Sequence, residues 1–228
     1  MKIIICHLVF LFSALSYAAD DDYYNFKWLS TDKNIFVLQQ KFFEKKRTFF
    51  FNAGVGKNST SDFQDSSTLH LSSGFFFSET WGIEGFVNSY SNSNNETYEK
   101  VSATGRTVPN IRRFNRVMGA NLLYSPFYGK LNTFNKILYM ELIVGLGLSS
   151  ISSENNIESF EQFDPAIDFE SESLTGFQHK IQLRLNVTKK WLFNVEYYSY
   201  YFSAANRSNE QESLQSASDF IISTGFSL

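Results

Sequence analysis

Charged side chains recur at alternate positions along two neighbouring stretches of the sequence. In FQHKIQLRLNV, residues 177–187, Lys180 and Arg184 lie on one face and mostly apolar residues on the other. In WLFNVEYYSYY, residues 191–201, Glu196 falls on the corresponding polar face. A period of two is typical of β-strands, so we predict a hairpin with one polar and one apolar face. Cations that face carboxylates can form ion pairs or line an ion path.

A histidine and a serine stand two residues apart at His70-Leu71-Ser72. Residues two apart in a strand share a face, so the imidazole and the hydroxyl could meet. The same spacing resembles that of barrel enzymes that deacylate lipid A, but those enzymes act on a lipid from their outer surface. Here the pair lies on the polar face and has no evident acidic partner, which favours a histidine satisfied inside the protein.

An acidic stretch lies between two of the predicted strands. Residues 154–172 contain no Lys or Arg and carry seven carboxylates: Glu154, Glu158, Glu161, Asp164, Asp168, Glu170 and Glu172. An earlier loop, residues 92–113, is basic toward its end, with Arg106, Arg112 and Arg113. Three interpretations stay open: solvated loops, ion pairs across the mouth of a barrel, or a surface that binds a partner or divalent cations bridging to lipopolysaccharide.

Eight segments of the chain alternate between apolar and polar positions. They cover residues 47–56, 68–77, 81–90, 115–126, 137–148, 177–187, 191–201 and 216–228. Each segment is about ten residues long, which is the length that crosses a bilayer at a tilt. The connections between them alternate long and short, beginning with a long one. The 127–136 connection is predicted to be a turn.

This alternation of connections is the topology of an outer-membrane barrel with short periplasmic turns and longer outer loops. Trp81 and Trp191 each open a strand after a short turn, where indole rings would form an aromatic girdle at the periplasmic interface. A soluble lipocalin-like barrel would not need this agreement of loops and tryptophans. We therefore predict an all-β fold: an eight-stranded antiparallel, up-and-down transmembrane β-barrel of the outer-membrane type.

The polar faces of the predicted strands would line the interior of the barrel. Eight strands leave an interior just wide enough for side chains, and a lone charge in such a place would be costly. We therefore expect a lumen network of ion pairs in which Lys180 and Arg184 neutralise the glutamates. Its predicted members are Glu84, Glu141, Lys180, Arg184, Glu196 and Asp219.

The first residues have the pattern of a secretory signal peptide. Lys2 is followed by a short apolar run and by Ser16-Tyr17-Ala18, which predicts cleavage after Ala18. A membrane anchor is the alternative, but the apolar run is shorter than a spanning helix requires. Cys6 is the single cysteine and lies in this segment, so the mature chain would have neither a disulfide nor a thiol nucleophile.

Composition agrees with a strand-rich chain of one main domain. The 228 residues include 25 Phe, 12 Tyr and 3 Pro, and the net charge is −3. Aromatic-rich, proline-poor chains favour strands, and a near-balanced charge provides no basic field for nucleic acid. The predicted organisation is a signal peptide at 1–18, a periplasmic N-terminal segment at 19–46 and a barrel domain at 47–228.

Two short motifs resemble a known family. One is VLQQK at residues 37–41, which leads through Arg47 into the first strand, and the other is WGIE at residues 81–84. Together they resemble the outer-membrane β-barrel domain family of myxobacteria, bdellovibrios and related Gram-negative bacteria. The resemblance implies a fold and a location in the outer membrane, and it implies no catalytic residues.

The sequence therefore predicts an outer-membrane barrel with a structural or surface-interaction role, a polar lumen plugged by side chains and long extracellular loops. A narrow porin-like channel is the first alternative, and a lipid A-modifying enzyme based on His70 and Ser72 is the second. We predict that the protein is not an enzyme and uses neither a cofactor nor a metal. The expected partners are outer-membrane lipid, lipopolysaccharide and the barrel assembly machinery, with no nucleic acid, and the expected state is a monomer.

Overall fold

The computed structural model describes residues 43–59, 62–103, 109–133, 136–162, 168–207 and 211–228. The predicted signal peptide and most of the predicted periplasmic segment lie outside these ranges. The strands are β1 Thr48–Asn58, β2 Gln64–Phe76, β3 Trp81–Asn94, β4 Arg112–Thr133, β5 Lys136–Asn155, β6 Glu170–Asn186, β7 Trp191–Ala204 and β8 Ser213–Ser227.

Two short helices lie in connections between strands. Helix α1, Glu96–Ala103, follows β3, and helix α2, Ile157–Gln162, follows β5. Neither helix of the described ranges is long and apolar enough to cross a membrane.

The sheet closes on itself. Each strand pairs antiparallel with its neighbours in chain order, and β1 pairs with β8 from Phe50↔Ser227 to Asn58↔Asp219. The predicted eight-stranded up-and-down β-barrel is therefore confirmed. Closure gives every strand two hydrogen-bonded neighbours, so no edge is left open along the wall.

Polar side chains point inward and apolar side chains outward along the wall. In β2, His70 and Ser72 are buried, whereas Leu69 and Leu71 are 55% and 54% exposed. This inverts the pattern of soluble proteins and is typical of a barrel whose outer surface faces lipid. The exposed apolar band includes Phe49, Phe51, Val55, Leu69, Leu71, Ile83, Val87, Met118, Leu122, Leu146, Leu148, Leu183, Phe220 and Ile222.

Every strand extends beyond its predicted end on the side of the long connections. The predicted 92–113 loop, for example, contains the end of β3, the helix α1 and the start of β4. Beyond the apolar band the outward residues, such as Asp65 and Ser67 on β2, are polar as well, while inward residues such as Gln64 and Ser66 stay buried. The apolar–polar alternation of the sequence therefore fades while the hydrogen-bonded ladder continues. The sequence pattern therefore marks the part of each strand that lies in the band and misses the rest.

The predicted turn at 127–136 is also wrong, because β4 and β5 continue through it. The two strands remain paired from Phe127↔Leu142 to Thr133↔Lys136, after a register shift between Tyr124 and Phe127. Pro126 lies within that shift, and proline cannot donate a ladder hydrogen bond, so it is tolerated at such irregularities. A proline followed by glycine and polar residues is also the usual pattern of a turn, which is why the sequence predicts one here.

Replacing Leu146 by arginine tests whether the apolar band lies in a membrane. Leu146 is 59% exposed on the outer face of β5. We expect Leu146→Arg to lower the free energy of unfolding by about 2–4 kcal/mol, because a cation within the bilayer is costly. Ser67→Arg, on the outer face of β2 near its extracellular end, is the matched control and should cost about 0–1 kcal/mol. Urea unfolding in phosphatidylcholine vesicles measures both, and equal costs would contradict this placement.

A closed lumen as the candidate functional site

An ammonium group shared by two carboxylates occupies the middle of the lumen. Nζ of Lys180, on β6, lies 2.7 Å from Oε2 of Glu84 on β3 and 2.8 Å from Oε2 of Glu196 on β7. All three side chains are fully buried. Because β3 and β7 stand on opposite sides of the closed sheet, Lys180 joins the two walls. We call these three residues the central cluster.

Neutral donors complete the bonding of the central cluster. Asn121 and Tyr198 each donate to Oε1 of Glu84 at 3.1 Å, and Ser223 donates to Oε1 of Glu196. A buried carboxylate is tolerated when its oxygen atoms are both ion-paired and hydrogen-bonded. Further buried amides extend this network along the wall: Asn52, Gln178, Gln182 and Asn194.

Glu141 is neutralised by a lysine that precedes the first strand. Its Oε2 lies 2.7 Å from Nζ of Lys45, and Lys45 also donates to Oγ of Ser125 at 2.7 Å. Between Lys45 and β1 the backbone turns at Arg47, which has a left-handed φ of 62°. Lys45 belongs to no alternating strand, so the sequence pattern could not place it in the lumen.

Arg184 departs from its expected role as a partner of the glutamates. It is the cross-strand neighbour of Glu141, but its guanidinium carbon lies 4.8 Å and 5.3 Å from the ring centroids of Phe50 and Phe76. Its Nε and Nη2 atoms make no hydrogen bond within the described part of the chain. Cation–π contacts, rather than a direct ion pair, therefore hold this buried cation.

Asp219 lies in a separate cluster, away from Lys180 and Arg184. Oδ1 accepts a hydrogen bond from Asn58 at 2.6 Å. Oδ2 accepts three more, from Asn88 at 2.9 Å, Tyr90 at 2.6 Å and Tyr200 at 2.9 Å. Four neutral donors thus satisfy this carboxylate where the sequence had suggested a cation.

His70 and Ser72 face the lumen and are bonded to other residues. Nδ1 of His70 lies 2.6 Å from Oδ1 of Asn88, and its Nε2 lies 3.7 Å from Oε2 of Glu196. Ser72 accepts a hydrogen bond from Asn52 at 3.0 Å. The fold therefore supplies an acidic neighbour that the sequence did not reveal, but it encloses the histidine completely.

Apolar side chains fill the lumen on both sides of the central cluster. The prediction of a polar lumen is therefore incomplete. The outer plug, on the extracellular side, consists of Phe86, Phe114, Val117, Ile151, Tyr198, Tyr200, Phe202, Ala204, Ala217 and Ile221. The inner plug, on the side of the short turns, consists of Phe50, Phe76, Leu123, Ile143 and Leu192. The sequence could not assign these residues, because several strands carry aromatic residues on both faces.

Arg112 spans the extracellular mouth of the barrel. From β4 its Nε donates to Oε1 of Glu172 on β6 at 2.5 Å. Its Nη1 donates to Oε1 of Gln215 on β8 at 2.8 Å, and its Nη2 donates to the carbonyl of Ala205 at 2.7 Å. Since β4 and β8 lie on opposite sides of the barrel, one guanidinium links the two sides of the opening.

Arg113, the next residue after Arg112, forms an ion pair with the first residue of the acidic stretch. Arg113 pairs with Glu154 at 2.6 Å, and Asn115 also donates to Glu154, at 2.7 Å. Glu154 lies on β5 beyond the apolar band, and these hydrogen bonds, first that from Arg113, lower the pKa of its carboxyl group. The pairs formed by Arg112 and Arg113 join strands near the rim.

The rest of the acidic stretch is spread along the extracellular end. Glu158 and Glu161 lie on α2, and Asp168 and Glu170 are exposed before and at the start of β6. Arg106 and Asp164 fall outside the described residues. Over the ranges that the structure covers, no three His, Cys, Asp or Glu side chains form a group that could hold a metal ion.

The two tryptophans mark the opposite rim. Trp81 and Trp191 each follow a four-residue turn and are 40% and 55% exposed on the outer face. Trp81 packs on Tyr124 with ring centroids 4.7 Å apart, and Trp191 packs on Phe226 at 5.5 Å. Exposed aromatic rings at the edge of an apolar band are typical of the membrane–water interface.

A closed ladder, an apolar outer band and an aromatic rim are together the features by which strands cross the outer membrane of Gram-negative bacteria. The protein is an outer-membrane β-barrel. No protein-family model matches the chain, and no curated protein matches it either. The resemblance to the myxobacterial and bdellovibrio family therefore stays a prediction.

Several solved outer-membrane barrels are similar to the chain at low identity. Ail, the attachment invasion locus protein of Yersinia pestis, is 13% identical, with a TM-score of 0.44 over 80% of this chain and 99% of that chain. The N-terminal β-barrel domain of Pseudomonas aeruginosa OprF is 10% identical, with a TM-score of 0.48 over 80% and 98%. Neisserial surface protein A is 12% identical, with a TM-score of 0.46 over 78% and 95%. The assignment of the barrel rests on the register and the exposed side chains, not on these likenesses.

Removing the cation of the central cluster should destabilise the barrel strongly. Lys180→Met would leave Glu84 and Glu196 buried without their ion pair, and we expect a loss of about 3–5 kcal/mol in the free energy of unfolding. Arg184→Met is the matched control, because it removes a buried cation that makes no direct ion pair. It should lower the free energy of unfolding by less than Lys180→Met does. Urea unfolding in detergent micelles at pH 7 compares them, and a larger loss for Arg184→Met would contradict the central role of Lys180.

The ion pair of Arg113 and Glu154 predicts that the stability of the barrel depends on pH. The folded-state pKa of Glu154 is lowered, so its stabilising effect is present above the usual glutamate pKa of about 4.3 and is lost as pH falls through the folded value. The difference in urea midpoint between wild type and Glu154→Gln should be constant from about pH 5 to 8 and shrink in more acidic buffer. Glu158→Gln, on α2, is the control, and a difference that grows in acid would contradict the pairing.

Proposed function

We propose that the protein is a closed, non-conducting outer-membrane barrel with a structural role and a role for its extracellular surface. The observation that supports this proposal is that buried side chains of the described residues occupy the lumen at successive levels. The inner plug, the central cluster, the outer plug and Arg112 follow one another along the barrel. A barrel filled in this way contributes its wall and its ends, rather than a path through its centre.

The arrangement of the lumen weighs against a narrow channel. An ion path needs a continuous polar route that ions can enter and leave. Phe114, Tyr198 and Tyr200 are fully buried in the outer plug, and Lys180 is held between two carboxylates at 2.7 Å and 2.8 Å. Moving an ion past these groups would require both plugs to repack.

The position of His70 weighs against a lipid-modifying enzyme. A lipid substrate would approach from the outer wall, whereas His70 and Ser72 lie inside it. The imidazole is engaged by Asn88 and the hydroxyl by Asn52. These hydrogen bonds therefore favour a structural role for His70 and Ser72.

The extracellular end is the surface that we propose for interactions. Several strands continue past the apolar band there, and α1 has no buried residue. Loops and short elements on a rigid scaffold are where binding residues are usually found. A monomeric state, insertion by the barrel assembly machinery and contact with lipopolysaccharide remain predictions.

Recording from planar lipid bilayers tests the closed-lumen proposal. We expect wild-type protein to give no discrete conductance steps, because the two plugs leave no continuous water-filled route. Heat-dependent migration on gels should first confirm that the reconstituted protein is folded. Discrete steps whose cation selectivity changes in Lys180→Met would locate a path through the lumen and contradict the proposal.

A further inference from the structure

The outer wall carries a cation at the place where the apolar band ends on β4. Arg116 is exposed, and a register shift between Phe114 and Arg116 marks a bulge at Asn115. Phe114 and Val117 are both buried, at 1% and 0% exposure, so the extra residue leaves Asn115 and Arg116 together on the outside. Bulges re-aim side chains and are found at functional sites.

Hydroxyl groups flank Arg116 on both neighbouring strands. Its backbone partners are Ser89 on β3 and Ser152 on β5, and Ser150 is exposed on the same face of β5. Residues directly opposite on adjacent strands have Cβ atoms about 4.5–5.5 Å apart, within reach of a common ligand. In the described ranges, neither Arg116 nor these three serines has a side-chain hydrogen bond or ion pair.

The acidic residue closest along β5 does not neutralise Arg116. Glu154 follows Ser152 by two residues, and its carboxylate is held by Arg113 and Asn115. The guanidinium of Arg116 therefore keeps its positive charge available at the surface.

An apolar groove crosses the outer wall from β3 to β8 and passes below Arg116 at the level of Ala120 on β4. Its lining includes Val87, Met118, Ala120, Leu148 and Ser150, with Gly85 beside them. A Cβ atom added at Gly85 would meet nothing nearer than the Gly119 carbonyl oxygen at 4.0 Å. The absence of a side chain at Gly85 thus leaves a depression in the apolar band, and this depression is open to the lipid around the barrel.

We propose that Arg116, Ser89, Ser150 and Ser152 bind a phosphate of lipid A, with an acyl chain in the groove beside Gly85. A guanidinium matches the geometry of phosphate and can donate two parallel hydrogen bonds. Flanking hydroxyls can donate to the remaining oxygen atoms, and the groove below matches an attached hydrocarbon chain. The site lies at the end with the longer connections, which is the extracellular end, where the outer leaflet consists of lipopolysaccharide.

This site is separate from the lumen, so it goes beyond the closed-barrel function and does not depend on it. Native mass spectrometry of the folded protein in a non-ionic detergent, titrated with purified diphosphoryl lipid A, tests it. We expect one tightly bound lipid A, and an apparent affinity about tenfold weaker in Arg116→Ala, as for the loss of one charged contact. Arg116→Lys keeps the charge without the planar fork and should fall between the two.

A matched control separates this site from general attraction of anionic lipid to the rim. Lys57 is an exposed cation on the outer face of β1, and Lys57→Ala should bind lipid A as wild type does. Gly85→Leu, which fills the groove and leaves the cation in place, should weaken lipid A binding several-fold. Phosphatidylglycerol, which offers a phosphate on another lipid, should compete poorly.

Equal losses in Arg116→Ala and Lys57→Ala would overturn the proposal, because binding would then follow net charge alone. Equal binding of dephosphorylated lipid A or of phosphatidylglycerol would overturn it as well. Heat-dependent migration on gels verifies that each variant is folded. If Arg116→Ala does not fold, the double variant Ser89→Ala with Ser152→Ala applies the same test, and unchanged binding in that variant would contradict the site.

Discussion

The hydrogen-bonded seam between β1 and β8 is the contact on which the rest of the structure depends. A strand in hydrocarbon must have partners on both edges, because no water is present to satisfy its backbone groups. Pairing from Phe50↔Ser227 to Asn58↔Asp219 provides these partners and closes the wall. Closure after eight strands also fixes the width of the interior, which is narrow enough for side chains to fill. Every inward residue must therefore pack against residues from other strands.

Charge inside so narrow a space is stabilised in three different ways. Lys180 is shared by two carboxylates, Arg184 lies over aromatic rings, and Asp219 is surrounded by neutral donors. In each case at least one compensating group comes from a distant part of the chain: Glu84 for Lys180, Phe50 for Arg184 and Asn88 for Asp219. The packed interior thus ties opposite walls together, and the plugs on either side keep water from competing with these contacts.

The packed interior directs attention to the outer wall and the two ends as surfaces that can contact other molecules. The apolar band is set by the lipid, whereas the rim combines strand ends, bulges and exposed charges. At the extracellular end, Arg112 and Arg113 are occupied by acidic partners, and Arg116 is turned outward by the bulge at Asn115. The same short basic segment therefore supplies both contacts across the mouth and an exposed cation on the outer wall.

The sequence alone determined the number of strands, their order and the residues that face inward within the apolar band, because lipid on one side enforces a period of two. It also placed Glu84, Glu196 and Lys180 on the polar face, but it could not pair them. Tertiary structure decided that Lys45 enters the lumen, that Arg184 rests on aromatic rings and that tyrosines surround Asp219. The physical reason is that the side of the sheet to which a side chain points depends only on its own strand. The partner of that side chain inside a barrel can come from a strand far away in the chain, as Glu84 does for Lys180.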